Sequence, residues 1–69
     1  MFIGEKIRNL RIERKLSLRK LAYLSGISSF SYIANIERGV VDDPGIKTII
    51  KIAKGLNISI DDLVRNVDI

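Results

Sequence analysis

The stretch from Leu16 to Gly39 constrains this chain more than any other part of it. Near its start stands Ser17, whose hydroxyl can accept a bond from one of the orphan backbone N–H groups that open a helix. Leu18, Leu21, Ala22 and Ser25 then recur at helical spacing, which lays one face of a helix along them. Gly26 follows at once, at the place where a helix exit commonly requires positive φ, so the helix ends there. Ser28 or Ser29 caps a second helix. In it Ile33 and Ile36 lie three apart, while Phe30, Ser31, Ala34 and Asn35 point elsewhere. Gly39 closes this second helix. Two helices of about two turns each, joined through a glycine turn, are therefore expected between Ser17 and Gly39.

Charge is spread unevenly around this unit. Residues 1 to 36 hold seven cations (Lys6, Arg8, Arg11, Arg14, Lys15, Arg19, Lys20) against Glu5 and Glu13, whereas residues 37 to 69 hold five cations against six acids. A clustered positive face suits a polyanion, because each neutralised phosphate releases condensed counterions. Charge alone is equally compatible with ordinary solvated helix faces. Paired short helices with a glycine turn are, however, the unit with which many DNA-binding proteins place a second helix in the major groove. Together the two features favour double-stranded DNA as the partner.

The flanking segments read as further helices. Ile3, Ile7, Leu10 and Arg14 follow an i, i+4, i+7 course that predicts a first helix over about 3 to 14, with Arg8 and Lys15 off the stripe. Arg11 stands beside Leu10, near the buried side, where a charge needs an acidic partner. Lys15 occupies the helix exit and is expected in the left-handed conformation, at a cost of about 1 kcal/mol relative to glycine. After Gly39 the run Val40-Val41-Asp42-Asp43-Pro44-Gly45 carries strong turn chemistry and predicts the longest loop. Ile46, Ile49, Ile50, Ala53 and Leu56 then mark a fourth helix with Lys47, Lys51 and Lys54 on its wet side. Asn57 ends it, and Ser59-Ile60-Asp61-Asp62 opens a fifth over about 60 to 66, its acids favourable to the helix dipole. No segment alternates with period two over a useful length. The expectation is an all-α fold of one domain over residues 1–69, with Leu10, Leu21, Ile33, Ile36, Ile49 and Leu63 in its core.

Composition removes several functions. A chain of 69 residues buries only roughly 60% of the surface its unfolded form exposes. It has no cysteine, so neither a disulfide nor a cysteine zinc site can supplement that core. It also has no histidine and no glycine-rich phosphate loop, so neither the usual triad nor a metal-hydrolase site can be assembled. The chain is expected not to be an enzyme and to need no cofactor, and no small-molecule ligand is evident. No apolar run approaches the roughly 20 residues that cross a bilayer, and the start, Met1-Phe2-Ile3-Gly4-Glu5-Lys6, lacks the features of a secretory signal. A cytoplasmic address is expected, without a membrane partner.

Laid out in order, these residues resemble the XRE-like family of bacterial and phage helix-turn-helix transcriptional regulators, the phage Cro and repressor class. The resemblance rests on Ile3-Gly4-Glu5-Lys6-Ile7-Arg8 with Leu10-Arg11, Leu16-Ser17 with Leu21-Ala22, and Gly26-Ile27-Ser28. It continues through Ser31-Tyr32-Ile33, Ile36-Glu37-Arg38-Gly39, Pro44, Ile52-Ala53-Lys54 with Leu56, and Ser59 with Asp62-Leu63. It implies a compact five-helix lambda-repressor-like domain whose helix-turn-helix is helices two and three. It also implies that Glu37 pairs with Arg11 as a structural ion pair. The residues that open helix three then face base edges: Phe30, Ser31, Ala34 and Asn35, with Asn35 able to meet adenine N6 and N7 in a bidentate pair. Ser17, Arg19, Lys20, Tyr32 and Arg38 are assigned to phosphates, which position the domain without specifying sequence.

Two departures bear on this transfer. Between Gly26 and Glu37 the chain has one residue more than is usual in the family, placed at Ser28-Ser29, which predicts a longer turn before helix three. The loop after that helix, often basic or amide-rich in relatives, carries Asp42 and Asp43. The leading expectation is a small repressor that reads an approximately palindromic operator as a homodimer in the bacterial or phage nucleoid. The dimer contact is expected at Val64 and Val67, because the C-terminal end offers more apolar surface than one short helix needs. The alternative is a protein-interaction module on the same fold, such as an antitoxin or partner-binding regulator.

Overall fold

The computed structural model describes residues 2–68, which form five α-helices and, among the described residues, no strand. Helix α1 spans Ile3–Glu13, α2 Leu18–Ser25, α3 Phe30–Glu37, α4 Ile46–Leu56 and α5 Ile60–Val64. The expected local signals act at most of the boundaries. Ser17 Oγ accepts from the Lys20 N–H at 3.0 Å, and Ser59 Oγ accepts from the Asp62 N–H at the same distance. Gly26 and Asn57 leave α2 and α4 in the left-handed region, at φ 70° and 59°, and Lys15 makes the turn between α1 and α2 at φ 57°. Ser29 occupies the N-cap of α3 but its side chain makes no capping bond there, so packing has to hold that end of the helix. Helix α5 is shorter than the expected 60 to 66. Arg65 already adopts extended backbone and Asn66 turns to φ 65°, which no α-helix continues through.

Ile7, Leu21, Ile33, Ile36, Ile52, Leu56 and Leu63 are the largest fully buried side chains, drawn from all five helices. Of the residues expected in the core, Leu10 is only half-buried and packs against its edge. The stripe expected on α4 is also displaced. Ile49, Ile52, Ala53 and Leu56 are buried, whereas Ile46 and Ile50 are 65% and 46% exposed. The cause is the packing of α2 against α4, the most extensive helix contact in the molecule. A Cβ on Gly55 would collide with Ser25 Oγ and lie 3.1 Å from Leu21 Cδ1, so α2 approaches on the Gly55 side. This turns the buried arc of α4 toward Ile52 and leaves Ile46 and Ile50 on its far edge. Gly4 has the same function between α1 and α3, where a Cβ would strike the Ile36 carbonyl oxygen.

Two side-chain tethers close the frame. Arg14, expected on the apolar stripe of α1, is exposed, and its Nε donates to the Leu56 carbonyl at 2.9 Å, satisfying one orphan acceptor at the C-terminus of α4. Lys6 Nζ donates to the Arg65 carbonyl at 3.1 Å and ties α1 to the exit from α5. Among the described residues no helix is long and apolar enough to cross a membrane.

Candidate nucleic-acid interface

Helix α3 has two unlike sides. Ile33 and Ile36 fill the core, and Glu37 beside them is buried. A buried carboxylate demands a partner. Arg11 supplies one from α1: its Nε donates to Glu37 Oε2 at 2.7 Å and its Nη2 to Oε1 at 3.0 Å, while Nη1 donates to the Leu16 carbonyl at 2.8 Å. The expected pair therefore forms as a bidentate fork, and it also pins the turn into α2. On the other side Ser31 is exposed, and Ala34 and Asn35 are half-buried. Phe30 and Tyr32 are half-buried too and pack against the core, so both contribute to holding α3 in place.

Cations border the outer side of this helix. At its start the Arg19 guanidinium lies 4.6 Å from the centroid of the Phe30 ring, a cation–π contact joining α2 to α3. Lys20 Nζ lies 5.5 Å from the centroid of the exposed Tyr23 ring. At the other end Arg38 is exposed, and its Nη2 donates to Asn35 Oδ1 at 2.6 Å. Ser17 Oγ accepts from the Lys20 N–H while its own O–H can still donate, and the N–H groups of Leu18 and Arg19 open the helix as orphan donors. The residues expected at bases and at phosphates are thus gathered along α3, at its C-cap and at the start of α2, with Phe30 and Tyr32 also committed to packing.

Arg8, expected off the apolar stripe of α1, is exposed as expected but was not assigned to the site. Its Nη1 comes within 3.9 Å of Glu37 Oε1 while its side chain stays 57% exposed. Glu37 is already satisfied by Arg11, so Arg8 remains a surplus cation. It lines a groove of about 310 Å³ with Leu18, Ala34, Glu37 and Arg38, beside the outer side of α3. The available signal was the i, i+3 spacing of Arg8 and Arg11, which sets both on one side of α1.

A different surface carries the acids. Asp42, Asp43 and Asp68 rim a groove of about 560 Å³ lined also by Ile3, Pro44, Ile49, Val64 and Val67. Val64 and Val67, the expected dimer contacts, are half-buried and pack against the chain's own core. Among the described residues no group of three or more Asp, Glu, His or Cys side chains is placed to hold a metal ion.

Five helices, a glycine turn between α2 and α3, and a polar outer side on α3 bordered by cations together define a helix-turn-helix domain. The chain belongs to that family: the helix-turn-helix family HTH_3 matches it over residues 7–63. The family is one of XRE-type transcriptional regulators with a DNA-binding fold, not of enzymes. Among curated relatives, the transcriptional regulator SinR of Bacillus licheniformis is 33% identical over 66 residues, covering 96% of this chain and 59% of that protein. The transcriptional repressor RghR of Bacillus subtilis (strain 168) is 43% identical over 61 residues, covering 88% of this chain and 44% of that protein. The chain therefore spans about half the length of these relatives. Among solved structures, SinR, described as the master regulator for biofilm formation, in complex with DNA superposes with a TM-score of 0.83 at 33% identity, covering 91% of this chain and 98% of that one.

Proposed function

We propose that the chain is a sequence-specific double-stranded DNA-binding transcriptional regulator. In this reading it is a small repressor that acts in the cytoplasm and docks α3 in the major groove of an approximately palindromic operator, as a dimer. The observation that carries the reading is the outer side of α3, polar and bordered by Arg19, Lys20, Arg38 and Arg8, on a family framework whose relatives include a repressor and a DNA complex. Ser31, Ala34 and Asn35 meet base edges. Phe30 reaches a thymine methyl with whatever edge its packing leaves free. Ser17, Arg19, Lys20, Tyr32 and Arg38 take phosphates, and Arg8 joins them from the groove beside Ala34. Val64 and Val67 contribute the dimer contact, with half-sites about one helical turn apart.

Selection of bound duplexes from a random pool in excess competitor tests this reading. It predicts an enriched inverted repeat whose binding weakens steeply with salt. Absence of enrichment, with only weak non-specific binding, contradicts it. That outcome would favour the second reading, a protein-interaction module, for which the acid-rimmed apolar groove at Asp42, Asp43 and Val67 is the specific support.

A further inference from the structure

Arg38 does more than add charge at the end of α3. Its bond to Asn35 spans one helical turn, at 2.6 Å from Nη2 to Oδ1. A guanidinium has five donors and no acceptor, so the Asn35 atom it bonds must be the amide oxygen. The facing of a terminal amide is otherwise open, because a flip exchanges an acceptor for a pair of donors on groups of nearly equal size. The bond to Arg38 closes that choice. It is also charge-assisted, and such bonds are roughly twice as strong as neutral ones.

The amide so fixed keeps its recognition capacity. Oδ1 retains its second lone pair and Nδ2 retains both protons. It therefore presents one acceptor and one donor side by side. Adenine matches this with N6 and N7, whereas guanine sets two acceptors, O6 and N7, against it. An amide free to flip would offer its nitrogen end in either sense and separate the two purines less well.

We infer that Arg38 is a positioning residue for base recognition, setting the Asn35 amide and thereby sharpening which base α3 selects. The inference rests on the reading of α3 as the base-facing helix. It moves Arg38 from the residues that only anchor to those that specify. Arg38 is exposed and takes no part in the buried Arg11–Glu37 pair, so its substitution leaves the core's ion pair in place.

The test measures fluorescence-anisotropy affinities of the full chain for the selected duplex and for duplexes altered at the base pair where N35A loses discrimination. In R38A the preference for the correct pair is expected to fall about three- to tenfold, the scale of freeing one immobilised side chain. R38K, which keeps a charged donor, is expected to recover part of it, and N35A/R38A is expected to discriminate no worse than N35A. Preference kept in R38A while both affinities fall together would overturn the inference and leave Arg38 a phosphate contact. N35A that retains full discrimination at every position would overturn it as well. A wild-type chain that binds all duplexes alike would overturn the reading of α3 itself, an outcome distinct from either.

Discussion

Glu37 and Asn35 are two residues apart on α3, and each accepts bonds from an arginine, yet they serve different ends. The Glu37 carboxylate is 4% exposed and held by a fork from α1, twenty-six residues away in sequence. The Asn35 amide is half-buried and held by Arg38, three residues away on the same helix. A long-range bond between buried charges ties elements together, and losing one partner strands the other charge. A local bond at the surface ties nothing together and only orients a side chain. In the reading proposed above, one helix carries its stability on one side and its selectivity on the other, so the two should break separately.

The largest effect is expected from Glu37→Ala. It leaves the part-buried Arg11 without its carboxylate and should cost about 3 to 5 kcal/mol in chemical denaturation. A loss under about 1 kcal/mol would mean that the fork contributes little. Next comes Gly55→Ala, which forces a methyl group against Ser25 where α2 meets α4, with an expected loss of roughly 1 to 3 kcal/mol and no change in base preference. Asn35→Ala should reverse that pattern: an unchanged melting temperature, with about 1 to 3 kcal/mol of discrimination lost at one base pair. Lys20→Ala should weaken all sequences alike and reduce the salt slope by about 1, seen in a salt titration of two unrelated duplexes. The smallest effect is expected from Arg65→Ala. Its pair with Asp62 at 2.9 Å is exposed on both sides and is worth at most about 0.5 kcal/mol. If Asn35→Ala destabilised the fold as Glu37→Ala does, the division between the two sides of α3 would fail.

The parts of this arrangement that were legible in the sequence are those governed by local chemistry. Ser17, Gly26, Asn57 and Ser59 act at their positions through backbone and capping bonds that span few residues, so α2 and α4 end, and α2 and α5 begin, where expected. The Arg11–Glu37 pair was legible only through family resemblance, since composition and spacing say that Arg11 needs an acid without saying which. The displaced stripe on α4 was not legible. Ile46, Ile49 and Ile50 satisfy helical spacing equally well, and only the approach of α2 over Gly55 decides which of them is buried. Nor was the missing cap on α3 legible: Ser29 has the right side chain, but its hydroxyl makes no bond to the helix it precedes. For the candidate site, the sequence nominated residues of α3 and the start of α2, but not their mutual bonds. Stacking of Arg19 on Phe30 and the clasp of Arg38 on Asn35 depend on side-chain conformations that spacing does not set.

The central claim is that the outer side of α3 and the start of α2 meet DNA. Backbone amide shifts of the isotopically labelled chain, followed by NMR as the selected duplex is added, test it most directly. The account predicts that the largest shifts fall at Ser17 to Lys20 and at Ser31 to Arg38. Shifts confined to Ile3, Asp42 to Gly45 and Val64 to Val67, with α3 unmoved, would contradict it and place the interaction at the acid-rimmed groove.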